Sequence, residues 1–281
     1  SAKKPVVGLL SSLPVMGAPR MPYRQPPPDA PKAWVAFQDL GQDKEVRSLE
    51  PTIKAIPDDL DVLVLVHPRE LSQETLYAID QFVLRGGKVL AFVDPICVSE
   101  YEISPDTQTT GGLRPSDLGP LLTGWGVTFD NTKIVADLEA MTSVRGQNGQ
   151  PDQSPVWLSL RATNFDPNEP LTTHMENLMM PFAGCFEVAT NTTLKVTPLI
   201  RSSKTSDLAD AMTAQFGSEA VRRDFQAGMK ELNLAIRLSG TFPSAFPNGR
   251  PAVEKKEGEE QTPPADDRPH LATGSAEGVV I

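Results

Sequence analysis

The chain has 281 residues, 39% of them hydrophobic, which argues against disorder throughout and allows one large domain or two small ones. Its formal net charge of -10 would meet a nucleic-acid backbone mostly with repulsion, and no basic run with interleaved aromatics offsets this, so a nucleic-acid partner is not expected. The 27 prolines, which concentrate towards the two ends, and the 20 glycines predict long irregular segments.

Val6 to Leu10 reads as a short apolar strand that ends at Ser11-Ser12 and Leu13-Pro14. In a doubly wound sheet the loop after the first strand lies over the binding crevice, which makes Ser11 and Ser12 candidate ligand contacts. Serines also begin turns, and both readings stand. The proline-rich stretch from Gly17 to Pro31 excludes a helix or an interior strand and predicts an exposed loop. Trp34, Phe37 and Leu40 recur at helical spacing, predicting a short amphipathic helix over 33–40, and Lys44 to Leu49 follows as a second strand.

The stretch from Asp61 to Pro95 organises the chain. Leu63 to Val66 is a continuous apolar run, as in a strand covered on both faces, and Ser72 is placed to cap the helix that follows. Leu76, Ile79, Phe82 and Val83 form the apolar face of that helix, with Gln73, Glu74, Asp80 and Gln81 expected to face water. Gly86-Gly87 ends it, because glycine accepts the left-handed conformation after a C-cap. Lys88 to Val93 returns as a strand, completing a βαβ unit. Both strands stop at a proline, His67-Pro68 and Asp94-Pro95, where an open α/β sheet places its crevice.

Residues 96–113 are irregular and read as a flap over that crevice. Pro115, Ser116 and Asp117 are expected to cap a helix through Leu122, and Gly124 to Gly126 turns the chain into a strand at Val127 to Phe129. Ile134 to Leu138, Val156 to Leu160, the alternating Thr193 to Ile200, and Leu234 to Leu238 are further strand candidates. Asn177 to Val188 mixes apolar residues with Pro181 and Gly184, while Thr205 to Leu232 is helical in character. In SGTFPSAFP, Phe242 and Phe246 either anchor a long loop to the core or form a ligand or partner surface. The acidic, proline-containing 251–276 is expected to be a flexible excursion that includes His270.

The catalytic signals are weak. Neither GxGxxG, GxxxxGK[ST] nor GxSxG occurs, so nucleotide-cradling loops and a serine elbow are not expected. Cys97 follows a central strand and His67 closes its neighbour, which allows a Cys/His pair, though without a glycine elbow. Cys97 and Cys185 either pair in an oxidising compartment or stand as separate thiols, with no CxxC spacing for zinc. His67, His174 and His270 have no ligand at metal-binding spacing on their own elements, so neither a metal nor a cofactor is expected.

The segments DVLVLVHP, LYAIDQFVLRGGKVLAFVDP and LAIRLSGTFPSAFP together resemble the extracytoplasmic auxiliary component of gliding-motility-type ABC transport systems, over Lys4 to about Asn248. The resemblance implies a large extracytoplasmic region, tethered to the inner membrane by spans outside this sequence, beside a permease and a cytoplasmic ATPase. Such chains usually continue past an apolar run like Gly278 to Ile281 into an aspartate-containing strand end. Ser1-Ala2 reads like the remnant of a cleaved tag and the final strand as unfinished, so a piece of a longer protein is expected. The βαβ pattern ending in Gly-Gly also resembles the class I glutamine amidotransferase-like fold, without a cysteine on a glycine-flanked elbow.

The expected fold is α/β, an open and mainly parallel sheet with helices on both faces, flavodoxin- or amidotransferase-like, with long irregular loops. An α/β domain is expected over 1–250, its βαβ core in 1–130, then the loop 251–276 and a truncated strand at 277–281. The expected function is non-enzymatic: binding a polar solute such as a saccharide, or partner subunits, through Ser11, Ser12, His67, Asp94, Cys97, Phe242 and Phe246. A Cys97/His67 hydrolase and a pure scaffold are the alternatives.

Overall fold

The computed structural model describes residues 4–18, 30–103, 114–146, 149–252, 268–274 and 278–281. The chain is mixed α/β and divides into two compact units. Unit 1 comprises 1–92, 118–124 and 240–280; unit 2 comprises 93–117, 125–239 and residue 281. The expected loops at 17–31, 96–113 and 251–276 lie partly outside the described residues, and the irregular reading of 96–113 is corrected in its described part, where Val98–Ile103 is helical.

Unit 1 contains β1 (Val6–Ser11), α1 (Val35–Asp43), β2 (Glu45–Ser48), β3 (Val62–Val66), α2 (Gln73–Leu84) and β4 (Lys88–Phe92). Its last strand is Gly278–Val280, β14 in chain order. The order β2-β1-β3-β4-β14 is parallel throughout, with Val46 opposite Val7, Val64 opposite Leu9, Leu90 opposite Val64, and Val280 opposite Val89. This is the parallel sheet that the apolar runs predict. Leu63 to Val66 are buried, as a strand covered on both faces requires.

Helix α2 begins and ends as its sequence dictates. Ser72 Oγ accepts a hydrogen bond from Thr75 N at 3.1 Å, and Gly86 has φ +90°. Gly86 N donates to Val83 O and Gly87 N to Phe82 O, both at 2.9 Å, which is the paired bonding of a Schellman motif. One expectation fails. Asp80 and Gln81 are fully buried, because residues 244–246 and 271 cover the face that amphipathic spacing assigns to water.

Unit 2 begins with α3 (Val98–Ile103) and contains β5 (Val127–Phe129), β6 (Lys133–Asp137), β7 (Met141–Arg145), β8 (Pro151–Arg161) and β9 (Asn177–Pro181). It continues with β10 (Phe186–Val188), β11 (Lys195–Arg201), β12 (Ser206–Asp210) and β13 (Asn233–Gly240). Its described pairings are antiparallel: β7-β8-β9, β6 with β12, β5 with β10, and β13 with both β10 and β11. Along β6 alternate residues serve two cores. Val135 joins one cluster, while Ile134 and Ala136 join another.

The helical expectation for 205–232 is corrected. Its first residues form β12, with Leu208 paired to Val135 of β6, and only Ala211–Ala214 and Ser218–Asp224 are helical. Pairing with a buried strand outweighs local propensity, Asp210 caps the first short helix, and Gly217 at φ +96° separates the two. The helix expected from Pro115 starts only at Pro120, because Asp94 N takes the Ser116 hydroxyl. No described helix is long and apolar enough to cross a membrane.

Candidate functional site

In unit 1 the chain runs from β1 to β2 on one side, then crosses to β3 on the other. Open α/β sheets bind ligands where the strand order reverses in this way, at the carboxyl ends of the strands. The residues there are Ser11 and Ser12 after β1, and His67 after β3. Ser11 lies opposite Val66, and Ser12 Oγ donates to His67 O at 2.5 Å, joining the two strand ends. The Ser11 hydroxyl instead closes a local turn, donating to Leu13 O and accepting from Leu13 N, both at 3.0 Å. Of the two serines, Ser12 is the exposed one.

His67 is fully buried, and its N–H donates to Phe92 O at 2.9 Å, extending the β3–β4 ladder one residue past Val66. Its φ is +48°, left-handed backbone that costs a non-glycine residue about 1–2 kcal/mol. The surrounding hydrogen bonds hold it there, and such strain clusters at functional sites.

Asp94 follows β4 by two residues and belongs to unit 2. Its backbone is clamped by Ser116, which is 1% exposed: Asp94 N donates to Ser116 Oγ and Ser116 N donates to Asp94 O, each at 2.9 Å. Local sequence suggests a helix cap at Ser116 and carries no signal of a partner 22 residues away. Half-buried Cys97 immediately precedes α3, and its thiol lies within 4.8 Å of the Asp94 carboxylate. A thiolate and a carboxylate are both donor types that zinc accepts.

Cys97 and Cys185 are both free thiols, so the disulfide alternative is not realised. Burial, with Glu187 nearby, pushes the Cys185 thiol up to about 11.

Phe242 and Phe246 are not at a surface. Phe242 is fully enclosed, and Phe246 sits edge-on to the Tyr77 ring at 5.5 Å between centroids. The loop carrying them is fastened to α2 by Asp80, which accepts from Ser244 Oγ at 2.8 Å and Ala245 N at 2.9 Å. Burial raises the Asp80 carboxyl above its ordinary range, while these bonds pull it back. His270, expected in a flexible tail, stacks on Tyr77 with Nδ1 3.2 Å from the hydroxyl, and Leu271 exchanges two bonds with the Gln81 amide.

The model of a family described as "ABC-type uncharacterized transport system" matches residues 4–274, nearly the whole chain. The chain belongs to that family. The family comprises auxiliary components of ABC-type transport systems. An uncharacterized protein of Borreliella burgdorferi (strain ATCC 35210 / DSM 4680 / CIP 102532 / B31) is 26% identical over 168 residues, covering 58% of this chain. The match covers 32% of that relative, so the chain spans about a third of its length. A solved mmIFT52 N-terminal domain aligns with a TM-score of 0.42 at 11% identity, over 71% of this chain and 74% of that one.

Proposed function

We propose that this chain is the extracytoplasmic part of an auxiliary component of an ABC-type transport system, works beside a permease and an ATPase, and binds without catalysing a reaction. The family match over residues 4–274 carries the reading. The membrane tether would lie in segments outside this sequence, and the resemblance of DVLVLVHP and LAIRLSGTFPSAFP to gliding-motility-type systems narrows the class of transporter.

The sheet order supports a flavodoxin- or amidotransferase-like core, since β2-β1-β3-β4-β14 follows the 2-1-3-4-5 order of such folds. In this reading the loop after β1 receives a polar solute or a partner loop, with Ser12 and the His67 backbone as its fixed rim. Against an enzyme stand the full burial of His67 and the absence of a glycine elbow at Cys97. A membrane-impermeant maleimide, applied to intact spheroplasts carrying the full-length protein with Lys195→Cys, tests the location. Labelling supports the extracytoplasmic reading, and labelling only after lysis refutes it.

A further inference from the structure

Unit 2 carries a polar groove remote in sequence from the strand-end residues. A cavity of about 390 Å³ adjoins a second of about 330 Å³, and the two share Thr163, Asn164, Ser202 and Glu231. We propose that this groove is a binding site for a hydroxylated carboxylate, a sugar acid or an acidic saccharide unit. The inference stands apart from the transport reading, because it uses only the geometry of unit 2.

The lining residue Ser203 is anchored from behind by a buried carboxylate. Asp137 is completely buried, and its carboxylate accepts from Ser203 Oγ at 2.7 Å, Ser203 N at 2.6 Å and Glu139 N at 2.9 Å. Ser202, 3% exposed, accepts from Leu232 N at 2.8 Å and lies 2.7 Å from the Ser206 hydroxyl. A buried carboxylate is costly unless its hydrogen bonds are complete, and here they fix residues 202–206 as a preformed wall.

Two strand irregularities border the same groove. The β7–β8 register jumps from Met141 opposite Leu158 to Thr142 opposite Ser154, just before the lining residue Ser159. The β11–β13 register shifts on both sides of Ile200, beside the lining residues Arg201 and Ser202. Bulges re-aim side chains and are over-represented next to functional sites. Two of them converging on one polar cavity is the arrangement of a shaped site.

The charges specify the ligand. Arg161 and Lys204 line the larger cavity, and among the described residues neither makes a salt bridge. The lining carboxylates are held at one oxygen each: Glu139 accepts from Thr205 Oγ1 at 2.5 Å, and Glu231 lies 3.9 Å from Arg201. The cations therefore remain to receive a ligand carboxylate, and the second oxygens of Glu139 and Glu231 remain as acceptors for its hydroxyls.

The test is calorimetric titration of the whole chain with glucuronate, glucose and acetate. The proposal expects glucuronate to bind more tightly than either, since only it supplies both the carboxylate and the hydroxyls. It further expects Arg161→Gln with Lys204→Gln to weaken glucuronate at least about tenfold, as losing charge-assisted bonds requires. Both positions are exposed, so the melting temperature should not change. Glucuronate binding no better than acetate, no binding of any of the three, or full retention in a folded double variant would each overturn it.

Discussion

Replacing Asp80 by alanine tests how the 240–250 loop is held on helix α2. The carboxylate accepts from Ser244 Oγ, Ala245 N and Gln81 Nε2, and Gln81 Nε2 keeps a second partner in Leu271 O. Two bonds to a charged acceptor are thus lost outright, each worth roughly 1.5–3 kcal/mol. Relief from burying the carboxylate, the same burial that raises its pKa, returns part of this. The balance is a loss of about 2–4 kcal/mol, which for a chain of this size lowers the melting temperature by roughly 5–10 °C. Scanning calorimetry reads the shift, and amide exchange should show Ala245 and Gly274 losing protection first, because Gly274 N is bonded to Phe242 O on the same loop. A variant that melts with the parent, with both amides still protected, would refute the idea that Asp80 fastens the loop.

Four further outcomes are expected. Because the folded Asp80 carboxyl holds its proton more tightly than the unfolded one, its contribution is greatest below about pH 4 and is lost as pH rises through the folded value. Melting across that range should therefore show the parent losing ground to Asp80→Asn as pH increases, and parallel curves would contradict the sign. Native chain at pH 8 should take up a thiol reagent at half-buried Cys97, while Cys185, buried and pushed up to about 11, reacts only after unfolding; two fast thiols would be inconsistent with this. Gly87→Ala places a Cβ 2.6 Å from Phe82 O and 2.4 Å from its ring, so it should cost about 1–3 kcal/mol by denaturant titration, and a neutral result would mean the turn after α2 is looser than described. Asp137→Ala should cost about 3–5 kcal/mol, because three hydrogen bonds to a buried carboxylate are lost at roughly 1.5–3 kcal/mol each while relief from burying the charge returns part, and a cost below about 1 kcal/mol would mean the 202–206 wall is not held by it.

Where local pattern and burial agree, the sequence is legible. Val6 to Leu10, Leu63 to Val66, the Ser72 cap and the Gly86-Gly87 ending each carry a signal within a few residues, and each appears in the sheet or helix it predicts. Asp80 and Gln81 depart from the expected exposure because amphipathic spacing says which face is polar, not which distant segment will cover it. Residues 205–232 carry a helical composition that β6 overrides by pairing with Ser206–Asp210. Most of the β7–β8 hairpin carries no local strand signal, because β7 is a half-exposed strand of mixed polarity without clean alternation.

The strand-end residues followed from topology rather than from any motif. Ser12 and His67 meet because β1 and β3 are parallel neighbours, which the βαβ pattern implies. The Asp94–Ser116 clamp and the buried placement of Phe242 depend on contacts more than 20 residues apart in sequence, which no local window contains. The groove in unit 2 was equally hidden, since Asp137 and Ser203 are 66 residues apart. Read singly in the sequence, each is an ordinary polar residue.

The most direct test of the proposed transport role is to extract the full-length protein in a mild detergent and identify what co-purifies. Recovery of a permease and an ATPase in a stable complex is the predicted result. Recovery of neither, from a preparation that remains folded, would contradict it.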